Sequence, residues 1–214
     1  MDTDTKHSLY HSAPYSAAGT AMMTFKPINA IHQHLCAFHV YSHDRTRHLE
    51  AHHYCTHLSP DFHQCIIYDS DSPSAKLIGI EYIVSETLFD GLPAAEKPLW
   101  HSHKYEVESG LLQMHARAPL NGAVTDLAEQ PAILEIQRTS WSRTPPTARA
   151  RPPEMVKARD ERSGMDTARK RELRKGYLPP YEKREEADAW EETKKGIVFE
   201  AKEVDYKPYP GEQK

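Results

Sequence analysis

The segment Leu77–Val84, with the sequence LIGIEYIV, constrains the fold of this 214-residue chain more than any other feature. β-Branched and aromatic residues dominate it, and such residues are enriched in β-strands. Residues 64–68, QCIIY, have the same character, and the polar residues 69–74 between the two segments are typical of a turn. The sequence therefore predicts an antiparallel hairpin with a slightly long loop.

Weaker patterns surround this hairpin. Residues 27–38 carry apolar side chains at helical spacing, and Pro27 suits the first turn of a helix. The other predicted elements are strands at 49–56 and 105–114, a short helix within 85–98, and polar helices at 155–175 and 180–195. The predicted fold class is α+β, in which an antiparallel sheet from residues 47–115 packs against the 27–38 helix and charged C-terminal helices follow.

Composition changes along the chain and suggests four regions. Small polar residues at the N-terminus indicate a disordered arm, and a stretch rich in Pro, Arg and Thr indicates an irregular linker. Dense charges of both signs near the C-terminus favour exposed helices over a second core. The predicted regions are a disordered arm (1–23), a core (24–137), an irregular linker (138–153) and a charged helical extension with a tail (154–214).

Overall composition limits the classes of function. The formal net charge of −4 provides no global field that would attract nucleic acid or an anionic membrane. No run of eighteen or more apolar residues is present, so no transmembrane span is expected. The three cysteines, Cys36, Cys55 and Cys65, lack CxxC spacing, which favours a reduced cytoplasmic compartment. Cys55 and Cys65 are expected to be small buried apolar side chains.

Histidine is the most informative residue type for function, because twelve of the fourteen histidines lie between His32 and His115. Neutral imidazole is a common ligand for borderline metals and titrates near neutral pH. The cluster therefore suggests a metal site, a proton-handling site or a pH switch. A divalent transition metal is the cofactor that it would take.

The first group of candidate ligands lies in the predicted strand 49–56 and just after it. Strand alternation places His52 on one face and His53, Cys55 and His57 on the other. Three donors at every second position would then project from one face. A hydrogen-bonded polar network is the competing interpretation of the histidine pair, and a nucleophilic role for Cys55 beside a histidine is a further one.

The second group of candidate ligands is the sequence WHSHKYE, which holds His101, His103 and Glu106. A His-x-His pair followed by a carboxylate resembles the first metal motif of cupins, in which two imidazoles and a carboxylate leave open positions on the metal. The glycine-rich lead-in and the second histidine motif of that pattern are absent here. A structural network is again the alternative.

Four segments in order resemble the oil-body-associated proteins of plants, fungi and bacteria, a family defined by a domain of unknown function. They are EAHHYCTHL (50–58), QCIIYDS (64–70), LIGIEYIVSE (77–86) and EKPLWHSHKYEVESG (96–110). The sequence MVKARDERSGMDTARKRELR (155–174) is also similar to the C-terminal segment of that family, whereas residues 138–153 depart from it. The resemblance implies association with lipid droplets and implies no reaction or catalytic residue.

Three functional hypotheses follow. The first is a non-enzymatic protein of oil-body-associated type with a peripheral role in lipid-droplet biology or lipid storage. It would be cytoplasmic with a reversible droplet-bound fraction, and its partner would be the droplet surface or another protein. The second is a metal-binding protein or cupin-like metal-dependent enzyme that uses His52, His53, His101 and His103. The third is an inactive remnant that has lost the last strand of its domain.

Overall fold

The computed structural model describes residues 2–10, 12–41, 44–117, 120–139, 141–142, 153–195, 197 and 203. Within these residues the chain forms one antiparallel sheet with helices, which confirms the predicted α+β class. The strands are β1 (Gln33–Tyr41), β2 (Asp44–Ser59), β3 (Phe62–Tyr68), β4 (Leu77–Val84), β5 (His101–Ser102), β6 (Gln113–Met114) and β7 (Trp141–Ser142). Their order in the sheet is β5-β7-β4-β3-β2-β1-β6.

Helices precede, interrupt and follow the strands. They are α1 (Thr3–Tyr10), α2 (Ala13–Met22), α3 (Lys26–Asn29), α4 (Glu86–Asp90), α5 (Lys104–Glu108), α6 (Ala123–Thr139), α7 (Pro153–Ser163), α8 (Thr167–Lys175), α9 (Glu185–Asp188) and α10 (Trp190–Thr193), with a 3₁₀ turn at Lys97–Leu99. The short helix expected within residues 85–98 is α4. The two polar helices expected near the C-terminus are broken into the pairs α7–α8 and α9–α10.

The predicted hairpin is present as β3 and β4. Ile66 lies opposite Ile80, and Gln64 lies opposite Tyr82. The connecting turn is closed by Asp69, whose carboxylate accepts a hydrogen bond of 2.8 Å from the backbone of Lys76. The strand predicted at 49–56 is also present, within the longer β2.

The helix predicted at residues 27–38 is wrong, since only α3 forms there and β1 follows it. β1 pairs with β2 along its whole length, and side chains on both of its faces are buried. Leu35 and Ala37 are 2% exposed on one face, while Cys36 and Phe38 are 0% and 6% exposed on the other. A strand that is covered on both sides loses the alternation that would identify it, and its apolar spacing then resembles a helix.

The strand predicted at residues 105–114 is also wrong. The chain forms α5, turns at Gly110 with a φ of +77°, and only then forms the two-residue strand β6. The helix α6 was not predicted, although it supplies Ile133 and Ile136 to the core. Proline at position 131, inside α6, hides this helix from a pattern search.

The predicted regions compare unevenly with the structure. Residues 3–10 and 13–22, which fall in the expected disordered arm, form α1 and α2. Part of the expected linker belongs to regular elements, because α6 extends to Thr139 and residues 141–142 form β7. Residues 143–152 lie outside the described part of the chain, as does the tail after residue 195 apart from 197 and 203.

Helices α5 and α6 cover one face of the sheet, and buried charges on α8 hold α8 against them. The guanidinium of Arg174 donates to the backbone carbonyls of Val107 and Leu112 at 2.7 Å and to the carboxylate of Glu129 at 3.0 Å. Both Arg174 and Glu129 are fully buried. Charge-assisted bonds of this kind fix backbone positions more strongly than neutral ones. The sheet is thus covered by helices from the second half of the chain rather than by the predicted N-terminal helix.

Candidate metal centre on the helix-covered face of the sheet

The candidate residues of β2 divide between the two faces as strand alternation predicts. His53 lies on the helix-covered face, where its buried neighbours include Leu35 and Ile83. His52 lies on the opposite face and contacts His34 and Glu50. The two adjacent histidines therefore belong to two different sites.

Glu81 of β4 contacts one histidine from each of the two histidine-rich segments. Its Oε2 lies 3.6 Å from Nε2 of His53, and its Oε1 lies 3.5 Å from Nε2 of His103. One ligand atom each from Glu81, His101 and His103 also lies within 4.8 Å of the other two. We call His53, Glu81, His101 and His103 the inner cluster, and all four are buried.

The C-terminal elements hold the second histidine segment against the sheet. His101 lies on β5, which pairs with β7, and His103 directly precedes α5. The hydroxyls of Ser102 and Tyr181 both donate hydrogen bonds to the fully buried carboxylate of Asp188. β5 is therefore fixed from both sides, which limits how far the two imidazoles can move.

The inner cluster surrounds a small cavity. Its volume is about 10 Å³, and its lining also includes His39 and Glu106. A space of roughly 10–15 Å³ holds about one water-sized particle. Nδ1 of His53, Nδ1 of His103 and Oε2 of Glu106 are buried without a hydrogen-bond partner. Buried polar atoms are nearly always paired in folded proteins, so these three atoms are groups that a bound ion or water at the cluster would satisfy.

Distances in the inner cluster suit a metal better than direct contact. The separations of 3.5 and 3.6 Å between imidazole nitrogen and carboxylate oxygen are longer than the usual hydrogen bond of about 2.7–3.2 Å, so direct hydrogen bonding between these groups is weak. Donors at about 2.0–2.1 Å from a tetrahedral metal stand about 3.4 Å apart. The arrangement therefore has the spacing of a ligand set whose centre is a metal ion.

The cluster carries an ionised carboxylate. Burial on its own raises the pKa of Glu81, but the charge of His53 and the hydrogen bond and charge of His103 outweigh burial and hold that pKa well below its usual range. For the imidazole of His103, burial on its own lowers the pKa. The hydrogen bond and the charge of Glu81 outweigh burial and raise the pKa of His103. Burial dominates at His53, whose pKa is lowered. A divalent cation would meet one carboxylate and imidazoles at this point.

Cys55 and His57 do not join the inner cluster. Cys55 forms a disulfide with Cys65, directly opposite it in β3, so the expectation of two free buried thiols is wrong and no thiolate is available for a metal. The disulfide also removes the basis on which a reduced compartment was inferred. His57 instead lies against His63 and Glu135, at the far end of β2.

Glu81 is the residue that the sequence analysis missed. It is the one carboxylate within the apolar sequence of β4, and it is only 3% exposed. A lone acid inside a strand of Leu, Ile and Val requires a buried partner, because an isolated charge is costly to desolvate. A single acidic residue within the apolar strand sequence LIGIEYIV could therefore have identified Glu81 as a candidate partner of the histidines.

The helix-covered antiparallel sheet and its buried histidine–glutamate cluster define an α+β protein with a candidate metal centre. A family described as "Protein of unknown function (DUF1264)" matches residues 25–142, and the chain belongs to this family. Its curated relatives carry the name oil body-associated protein.

The similarity to these relatives varies in extent. Oil body-associated protein 1B of Arabidopsis thaliana is 56% identical over 97 residues, which are 45% of this chain and 40% of that relative. Oil body-associated protein 2B of Arabidopsis thaliana is 37% identical over 219 residues, covering 90% of this chain and 86% of the relative. Oil body-associated protein 2A of Zea mays is 38% identical over 200 residues, covering 84% and 78%. No solved structure matches the chain.

Proposed function

We propose that this protein binds a divalent transition metal at the inner cluster. The observation that carries the proposal is the placement of two imidazole nitrogens, from His53 and His103, at 3.6 and 3.5 Å from the two oxygens of Glu81. Two or more imidazoles with a carboxylate are ligands for zinc, iron and manganese. His101 completes the set from β5.

The role of this metal is structural rather than catalytic. The cavity of about 10 Å³ accommodates an ion or a water but leaves no room for a substrate. A metal at this position would tie β2, β4 and β5 together beneath the helices. This supports the non-enzymatic hypothesis over the cupin-like one.

The test is metal analysis of the full-length protein without a histidine tag. We expect stoichiometric binding of Zn²⁺, Mn²⁺ or Fe²⁺, with a higher melting temperature in the presence of metal, because a ligand at a hundred times its Kd stabilises the folded state by about 2.7 kcal/mol. Glu81→Gln and His103→Gln should each lose one equivalent. His48→Gln, which alters an exposed histidine of β2, should not.

A cooperative melting transition of the Glu81→Gln variant in a chelator would show that the variant still folds. The proposal fails if Glu81→Gln retains the full metal content of the unmodified protein. It fails equally if neither metal content nor metal-dependent stabilisation is found.

A second function, peripheral association with lipid droplets, is favoured by the relatives named oil body-associated proteins. No helix among the described residues is long and apolar enough to cross a membrane. The face of the sheet opposite the inner cluster instead holds a shallow groove of about 130 Å³ that includes Ile28, Ile66 and Ile80. Ile28 and Ile80 are more than half exposed. Such side chains can enter a phospholipid monolayer without spanning it.

We infer that a fraction of this protein binds droplets reversibly. Flotation with triacylglycerol droplets coated in phospholipid tests this, and carbonate or high salt should release the bound protein. Ile28→Ser with Ile80→Ser should reduce the floated fraction. Leu127→Ser, at an exposed leucine of α6, should leave it unchanged. Equal flotation of both variants would exclude this surface.

A further inference from the structure

Three histidines converge on the face of the sheet opposite the inner cluster. His34 lies on β1 and His52 on the adjacent β2, while His115 directly follows β6 and donates its backbone N–H to the carbonyl of His34 at 2.8 Å. The ring centroids are 4.6 Å apart for His34 and His115, 5.1 Å for His34 and His52, and 5.3 Å for His52 and His115. One ring nitrogen of each lies within 4.8 Å of the other two. We call these three residues the outer cluster.

A carboxylate fixes the tautomer of His52. Nε2 of His52 lies 3.0 Å from Oε1 of Glu50, and Arg162 donates to both oxygens of Glu50 at 2.6 Å. The guanidinium of Arg162 donates to both oxygens, so the carboxylate of Glu50 is paired with a cation and accepts in these contacts. An ionised carboxylate only accepts, so Nε2 of His52 carries the proton and Nδ1 presents a lone pair.

A second carboxylate does the same at His115. Nε2 of His115 lies 3.3 Å from Oδ2 of Asp71, and Nδ1 of His115 is buried without a hydrogen-bond partner. The proton again belongs on the nitrogen that faces the carboxylate. The imidazoles of His52 and His115 thus each carry an unprotonated Nδ1, and in each ring a carboxylate at Nε2 fixes the orientation. Carboxylate–histidine pairs of this kind surround protein-bound zinc.

The third imidazole closes the group. Nε2 of His34 lies 2.9 Å from Nδ1 of His52. The ring of Tyr54 stacks on His34 with centroids 4.3 Å apart and holds it in place. Widening the 2.9 Å contact to the separation of about 3.4 Å between tetrahedral ligands requires a movement of only a few tenths of an ångström.

We propose that His34, His52 and His115 form a second metal site, for Zn²⁺, with Glu50 and Asp71 as positioning residues. Three imidazoles leave a fourth coordination position for water or another small donor, unlike the closed inner cluster. The sheet separates the two sites, so the outer cluster binds whether or not the inner one does.

The experiment uses the full-length, untagged protein carrying Glu81→Gln, which removes the inner cluster as a site. Titration with Zn²⁺, and with Co²⁺ for its visible absorption bands, should show one equivalent bound with a tetrahedral spectrum. Adding His115→Gln or His52→Gln should abolish that equivalent. Adding His48→Gln, at an exposed histidine of the same strand as His52, should preserve it.

Glu50→Gln distinguishes a positioning role from a structural one. It should weaken Zn²⁺ binding by about 10–100-fold without abolishing it, because the carboxylate orients a ligand rather than contacting the metal. Circular dichroism and melting in a chelator check that each variant folds. Absence of Zn²⁺ and Co²⁺ binding in the Glu81→Gln protein, or binding that His115→Gln leaves unchanged, overturns the proposal. Failure of the inner cluster would appear separately, as equal stoichiometry in the unmodified and Glu81→Gln proteins.

Discussion

His52 and His53 are consecutive in β2, yet their imidazoles lie on opposite faces of the sheet and share no hydrogen-bond partner among the contacts described. His52 contacts His34 and Glu50, whereas His53 contacts Glu81. We expect His52→Gln to remove only the outer metal equivalent and His53→Gln to weaken only the inner one. Their effects on the free energy of unfolding should add to within about 0.5 kcal/mol, as for independent sites. A coupling above 1 kcal/mol in the double variant would contradict this separation.

Acid should destabilise the metal-free protein through His39. Burial lowers the pKa of His39 to about 3, and repulsion from His53 adds to this shift. In the unfolded chain this imidazole titrates near pH 6.5. Above that pH the ring is neutral in both states and costs no stability. As the pH falls from 6.5 towards 3, the unfolded state binds a proton that the folded state does not, so the free energy of unfolding decreases. Because His39 is half-buried, we expect a loss of about 1–2 kcal/mol at pH 5.

Denaturant unfolding of metal-free protein between pH 7 and pH 5 measures this loss. His39→Gln should reduce the pH dependence of the unfolding free energy without abolishing it, because burial also lowers the pKa of His34 to about 3 and that of His63 to about 4. His48→Gln, at an exposed position, should leave the pH dependence unchanged. An identical pH dependence of the unfolding free energy in His39→Gln and in the unmodified protein would contradict the assignment of this loss to His39.

Arg174→Ala should be strongly destabilising. It removes three hydrogen bonds, two to backbone carbonyls and one to the carboxylate of Glu129. The buried carboxylate of Glu129 then keeps an ion pair with Lys170 only. Breaking a buried pair by removing one partner costs about 3–5 kcal/mol. Arg171→Ala, on the exposed side of the same helix, should cost less than about 1 kcal/mol. Equal melting temperatures for the two variants would refute the assigned role of Arg174.

The disulfide between Cys55 and Cys65 should stabilise the sheet. It closes a loop with a sequence separation of 10 residues, for which the loss of entropy in the unfolded chain corresponds to about 2–3 kcal/mol. Cys55→Ala with Cys65→Ala should lower the unfolding free energy by that amount and should keep the metal content unchanged. Addition of reductant should affect the unmodified protein and not the double variant. Loss of metal on reduction would mean that the sulfurs do contribute to a site.

Secondary structure could be predicted from the sequence where a single residue pattern marked the element, and could not where burial or a proline obscured that pattern. β3 and β4 were predictable because β-branched residues and a polar turn point to the same hairpin. β1 was not, because Leu35 and Cys36 are buried on opposite faces and their adjacency erases the strand period. α6 was hidden by proline at position 131.

The candidate site was half predictable for the same kind of reason. Local alternation correctly separated His52 from His53, because the side-chain direction in a strand depends only on position. The meeting of His53 with His103 depends on Glu81, which neither histidine segment contains. Contacts between distant segments follow from strand order, and short-range patterns carry no information about that order.

β7 joins β5 to the rest of the sheet, because it pairs with His101 and Ser102 on one side and with β4 on the other. During synthesis the strands β1 to β4 leave the ribosome first, whereas β7 emerges about forty residues after His101 in a chain that is made from its N-terminus. Glu81 and His53 are therefore made well before the strand that pairs with the segment carrying His101. If the inner cluster binds a metal as proposed, its complete ligand set therefore forms only after residue 142 has been made.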